Sequence, residues 1–137
     1  MYLLDANACI EIINDTSPAL VHRLRFHNPS QIRLCSVVKA ELLYGARKSA
    51  RPAQNLRLLQ SFFAPMRSLP FDDASSEEYG SIRAELERAG RLIGVHDMMI
   101  AAIAMANDVT LVTHNVSEFS RVAGLKWEDW EEAESPP

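Results

Sequence analysis

Apolar residues occur in this chain in two patterns: short unbroken runs, and longer stretches where they recur every three or four positions. Unbroken runs of this length, bounded by polar residues, predict buried strands, and the three-to-four spacing predicts helices. YLLD at 2–5, IRLCS at 32–36 and VTLVT at 109–113 are runs of the first kind. SLPF at 68–71 is a weaker one, with Pro70 pointing to a sheet edge, and LKW at 125–127 reads as a last short strand. Between them the spacing predicts helices over 7–14, 17–28, 37–49, 52–63, 73–89 and 96–107. Asn7 is the expected cap of the first, Ser17-Pro18 a cap followed by the first helical residue, and Ser36 the cap of the third. Asp72 or Asp73 opens the fifth and Gly90 stops it. Asn28-Pro29-Ser30 is a loop.

Strands that alternate with helices predict an α/β sandwich: a mostly parallel sheet with helices on both faces. In such sheets ligands bind beyond the carboxyl ends of the strands. Asp5 ends the first strand, and His114 and Asn115 follow the VTLVT strand, so both are expected at that edge.

Length and composition narrow the class. At 137 residues the chain fits one domain, expected over residues 1–130, with EEAESPP at 131–137 as a disordered acidic tail. Hydrophobic residues make up 47% and charged residues 23%, as in a water-soluble domain. Cys9 and Cys35 lie inside apolar runs and read as buried free thiols, not as a disulfide framework or metal knuckle. The start, MYLLDANACIEII, has no basic leader, and the longest apolar run, MMIAAIAMA, is too short to span a bilayer, so a cytoplasmic location is expected. The net charge of -4 argues against a nucleic-acid partner at first. However, five of the 18 acids lie between Glu128 and Glu134, and the rest of the chain is slightly basic. Binding to RNA is therefore permitted, with weak and salt-sensitive affinity expected.

Three acids stand out. Asp5 follows apolar residues, and a helix cap or turn is its structural alternative. Glu41 has Val37, Val38, Tyr44 and Gly45 as its helical neighbours, none of them charged, and no partner within its own helix. Asp97 opens a helix whose next nine residues are uncharged, and stabilisation by the helix dipole is its alternative. Three carboxylates in one cleft would repel and rise in pKa unless a divalent cation joined them. An oxygen-only ligand set selects Mg²⁺, or Mn²⁺ in its place, over zinc. An ion of that kind suits phosphodiester hydrolysis.

Arg47, Lys48, Arg51 and Arg57 form a basic stretch that is either a solvated face or a phosphate track. Arg83 is a further phosphate candidate or a helix-end partner, and His114 a phosphate contact or a rim residue. Tyr44 is expected in the core, with base stacking as the alternative. Phe62, Phe63 and Met66 either fill the core or line a groove for a partner helix.

Taken together, LLDANACIE, SVVKAELLYGARKS, LPFD, YGSIRAELERAG, IGVHDMMIAAIAMA and LVTHNVSEFSRVAGLKWEDW resemble, in order and separation, the PIN-domain toxins of VapBC-type toxin–antitoxin pairs. The resemblance covers Tyr2 to Trp130. It implies a PIN-like three-layer sandwich with a four- or five-stranded, mostly parallel sheet. It implies a Mg²⁺-dependent endoribonuclease that cuts transfer or ribosomal RNA and blocks translation. The family's three acids fall on Asp5, Glu41 and Asp97 as metal ligands, and its fourth site position on Asn115. It also implies a homodimer, silenced by a small antitoxin within a larger assembly that touches DNA only through the antitoxin, and no membrane. Ala6, where the family often has threonine, His96 and His114 are departures. Two rivals remain: a non-catalytic PIN-like module that binds RNA or protein, and a phosphotransfer domain using Asp5, which lacks a second acid at position 7.

Overall fold

A computed structural model of the chain describes residues 1–132. The strands are β1 (Tyr2–Leu4), β2 (Ile32–Cys35), β3 (Arg67–Leu69), β4 (Thr110–Val112) and β5 (Trp127–Glu128). The helices are α1 (Ala6–Asn14), α2 (Pro18–Leu24), α3 (Ser36–Arg47), α4 (Pro52–Phe63), α5 (Asp73–Arg88), α6 (Val95–Ala106) and the short α7 (Val116–Phe119).

All five strands are parallel, in the order β3-β2-β1-β4-β5. The chain starts at the centre, builds outward through β2 to β3, then returns to the other side of β1 with β4. Parallel crossovers are right-handed. This reversal therefore puts α1 to α4 on one face and α5 and α6 on the other, and α3 packs along α4 as α5 does along α6. β3 is an edge strand, as Pro70 predicted. The reversal also opens a crevice between the carboxyl ends of β1 and β4, the usual ligand position in a sheet of this kind.

The core explains why these runs became these elements. Leu3, Leu4, Leu34 and Leu111 are fully buried in the central strands, and Ile100 to Ala104 seal α6 against them. Helix α6 is buried along most of its length and central, as its composition predicted. Cys9 and Cys35 are buried free thiols. No helix among the described residues is long and apolar enough to cross a membrane.

Several local expectations change. Asn7 does not cap α1. Asp5 does: its Oδ1 accepts the Ala8 N–H at 2.8 Å, because the strand runs into the helix with one extended residue between them. Ser36 is the first residue inside α3, not its cap, because β2 runs directly into the helix and Cys35 takes the cap position. The second helix stops at Leu24 instead of reaching residue 28, and a 3₁₀ turn at Pro29–Gln31 follows, capped by the Asn28 side chain. Tyr44 is not core; its ring is 66% exposed. Phe62, Phe63 and Met66 pack partly buried against the core.

The segment after β5 is anchored. Trp130 is buried, stacks on His27 at 4.9 Å between centroids and meets the edge of Tyr2 at 5.1 Å. Arg23 donates to the Asp129 carbonyl at 3.0 Å. Of the expected tail, Glu131 is half-buried, its N–H held by Asp129, and residues 133–137 lie outside the described residues.

Candidate active site

Asp5 stands at the carboxyl end of β1, buried and at the crevice between β1 and β4. Its N–H donates to the Val112 carbonyl at 3.2 Å, tying it to β4. The Thr113 hydroxyl, also buried, hydrogen-bonds the Asp5 carboxylate, and Thr113 Oγ1 accepts the Asn115 N–H at 3.0 Å. Burial pushes the Asp5 carboxyl above its ordinary range. The Thr113 and Ala8 hydrogen bonds pull it back, and the charges of Glu131 and Glu41 push it further up.

Asp97 sits in the first turn of α6. Its carboxyl is pushed up to about 7, first by burial, then by a hydrogen bond shared with Glu118 and that residue's charge, then by Glu41 and Asp5. A hydrogen bond between two carboxyls requires a proton on one of them. Glu41 projects from the middle of α3 with its side chain 31% exposed. Its partner comes from another element: His96 Nδ1 of α6 lies 3.3 Å from Glu41 Oε1, across the edge where α3 meets α6.

Positions 5, 41 and 97 therefore converge: Asp5 feels the charge of Glu41, and Asp97 feels both. Glu41 and Asp97 line one wall of an open cavity of about 920 Å³, with Ser36, Tyr44 and His96. A second cavity of about 410 Å³ lies between α1, α3 and α4, and Glu41 lies on its wall too. No arginine or lysine lines either cavity.

Asn115 is close to the acids but acts on a residue that the sequence reading passed over. Its Nδ2 donates to Glu118 Oε2 at 3.2 Å. Glu118 follows Asn115 by three positions, the interval that brings side chains to one side of a helical turn. That spacing was the available signal.

The remaining site candidates separate. Arg47, Lys48 and Arg51 are exposed at the end of α3 and in the link to α4. Arg83 lies on α5, its Nη1 donating to the Tyr79 hydroxyl at 2.8 Å. His114 is exposed and bonds Asp129 Oδ2 at 2.8 Å, with Glu131 Oε2 at 3.8 Å. Among the described residues, His114, Asp129 and Glu131 are the group whose metal-ligand atoms all fall within 4.8 Å of one another, so they are gathered more tightly than Asp5, Glu41 and Asp97. The His114–Asp129 hydrogen bond raises the imidazole pKa and holds the two together without an ion.

Comparison with known proteins agrees with this geometry. The model of the PIN domain family matches residues 2–125. A Shigella flexneri protein named tRNA(fMet)-specific endonuclease VapC is 43% identical over 130 residues, covering 94% of this chain and 97% of that one. The solved VapBC2 complex from Rickettsia felis, bound to a promoter DNA fragment, contains a chain with TM-score 0.87 and 36% identity, over 94% of this chain and 98% of that one. DNA-bound VapBC from Salmonella typhimurium contains one with TM-score 0.88 and 36% identity, over 94% and 97%. A parallel sheet that reverses at β1, an acid at the end of that strand, and sequence likeness along nearly the whole chain lead to one assignment: the chain belongs to the PIN-domain family, among the VapC ribonucleases.

Proposed function

We propose that this chain is the toxin of a toxin–antitoxin pair and an endoribonuclease that hydrolyses RNA phosphodiesters in the cytoplasm, with the initiator transfer RNA as its first candidate substrate. The observation that carries the reading is that Asp5 and Asp97, at the switch point of the sheet, both have raised carboxyls, through burial and through the charges of acids that include Glu41 and, for Asp97, Glu118. Crowded acids with no lysine or arginine lining their cavity, among the described residues, are the arrangement expected of a site that takes up a positive charge.

The donor set fits a hard divalent ion. Asp5, Glu41 and Asp97 offer only carboxylate oxygens, which suits Mg²⁺, with Mn²⁺ in its place. Bound there, the ion supplies charge to the phosphodiester oxygens and makes water more acidic. The other roles belong to the chain. Thr113 fixes the Asp5 carboxylate. Asn115 fixes Glu118, which shares a proton with Asp97. In the ion-free chain this pair shares a proton, and a cation taken up by Asp97 would displace it. Burial of Asp5 and Thr113 keeps their hydrogen bond out of competition with water.

Arg47, Lys48 and Arg51 lie beyond Glu41 and supply a phosphate track. Arg83 and His114 would have to exchange their bonds to Tyr79 and Asp129 for phosphate. The partner is a small antitoxin, with DNA reached only through it, and the toxin is a homodimer. An antitoxin segment would lie over the cavity edged by Ile10 and Leu58, both exposed, where a basic side chain can reach Glu41.

Incubation of the purified chain with initiator transfer RNA tests this reading. Cleavage is expected with magnesium and not with EDTA, and it should vanish in Asp97→Asn while the variant stays folded. Full cleavage in EDTA or by that variant would remove the assignment. RNA binding with no metal-dependent product would favour the non-catalytic module.

A further inference from the structure

One side of the site carries an aromatic ring that the packing does not use. Tyr44 follows Glu41 by three positions on α3, so both side chains leave the same side of the helix. Both line the cavity of about 920 Å³. The inward residues of α3 are Val37, Val38, Leu42 and Ala46, and all are buried, whereas the Tyr44 ring is 66% exposed. Its neighbour is Lys48, whose Nζ lies over the ring at 4.8 Å from the centroid. Among the described residues, no other aromatic ring or cation is placed against it.

Glu41 and Asp97 on this cavity and the chain's net charge of -4 give RNA little electrostatic attraction. Contacts that do not depend on the phosphate charge therefore matter more here than in a basic nuclease. Stacking on an aromatic ring is such a contact, and it accepts any base because every base has a π-face. It also requires the base to be unpaired, since a base within a duplex is already stacked on its neighbours.

We propose that Tyr44 is the stacking platform for one unpaired nucleobase beside the phosphodiester to be cut, with Lys48 covering one face of the ring and the base taking the other. This deepens the nuclease reading and rests on it. The ring then selects for single-stranded loops over duplex, while leaving the base identity to other contacts.

The test compares wild type with Tyr44→Ala, Tyr44→Phe and Tyr44→Leu on a stem-loop RNA cut in its loop, with magnesium. The same RNA is also made with single abasic nucleotides on either side of the cut. Tyr44→Ala and Tyr44→Leu are expected to lower kcat/KM between about fivefold and about a hundredfold, and Tyr44→Phe to stay within about twofold of wild type. At one flanking position the abasic RNA should impose that loss on wild type and no additional loss on Tyr44→Ala. An equal Tyr44→Ala penalty on intact RNA and on every abasic RNA would overturn the proposal, as would unimpaired cleavage by Tyr44→Ala. So would a loss explained by a changed oligomeric state in sedimentation, which would make the ring a protein contact. If wild type cuts no RNA, the nuclease reading has failed. Quenching of 2-aminopurine placed in the loop, present with tyrosine or phenylalanine at position 44 and absent with leucine, then decides the stacking claim separately.

Discussion

Two acid-rich groups share the carboxyl edge of the sheet, and they differ in what holds their charge. In one, Asp129 and Glu131 stand around the His114 imidazole, with Asp129 at 2.8 Å, and Asp129 also receives the Glu131 N–H. The buried Trp130 between them locks the segment down. In the other, Asp5, Glu41, Asp97 and Glu118 come from four remote segments; beyond burial, the charge of Glu41 raises Asp5, and those of Glu118, Glu41 and Asp5 raise Asp97. Their partners are uncharged hydrogen-bond donors, Thr113, Ala8 and Asn115, and His96 beside Glu41 is the exception. Closeness alone would favour the first group as a metal centre, since its ligand atoms are the tighter set. The first group nevertheless contains its own cation donor, the His114 imidazole, whereas no lysine or arginine lines the cavity of the second among the described residues. Satisfaction of charge, more than distance, separates a structural cluster from a reactive one.

Substitutions break the comparison at different depths. Asp5→Asn and Asp97→Asn should have the largest effect, a loss of cleavage beyond the roughly 10–100-fold that outer partners of a metal site cost. Gel assays on RNA with magnesium would show it, and circular dichroism should show an intact fold. Glu118→Gln should fall next, within that roughly 10–100-fold range, because it removes the Asp97 partner but not a proposed ligand. If Glu118→Gln cut as well as wild type, Glu118 would have no part in the site.

The third effect is on stability and has a defined sign. The Asp97 carboxyl is raised from 3.8 to about 7 in the folded state, so the folded chain holds this proton more tightly than the unfolded chain. That contribution is complete below about pH 4 and is lost as pH climbs through about 7. In EDTA the melting temperature should therefore drop by a few degrees, on the order of 5 °C, between pH 5 and pH 8, and magnesium at pH 8 should restore it. Asp97→Asn should flatten the drop. A wild-type profile with no decline would mean that the acids are not strained. The smallest effect belongs to the satisfied cluster. His114→Ala should cost about 1 kcal/mol in urea unfolding, because the imidazole is exposed while its Asp129 partner is largely covered and loses that hydrogen bond. It should leave magnesium binding measured by calorimetry unchanged, and a lost binding event there would move the ion to the first group.

Much of this was legible along the chain. The unbroken runs YLL, IRLC and TLV became β1, β2 and β4 because their apolar residues are buried in the middle of a parallel sheet. Glu41 attracted notice because nothing on its own helix answered its charge, and the structure shows its contact, His96, on another helix. Tyr44, expected in the core, follows Glu41 by three positions, and α3 turns both to the cavity. Glu118 and Thr113 went unnoticed because an acid in a polar stretch and a threonine at a strand end are ordinary on local grounds.

The sequence by itself determined the element order, the parallel sheet and the three acids that interrupt apolar stretches, because burial and backbone periodicity act over a few residues and leave a local trace. Only the tertiary structure decided which charges remain unbalanced. That depends on the reversal at β1, which brings the ends of β1 and β4, the start of α6 and the middle of α3 to one crevice, where a carboxylate's partner can be a hundred residues away along the chain. Electrostatic energy depends on distance and burial in space, and a linear pattern records neither.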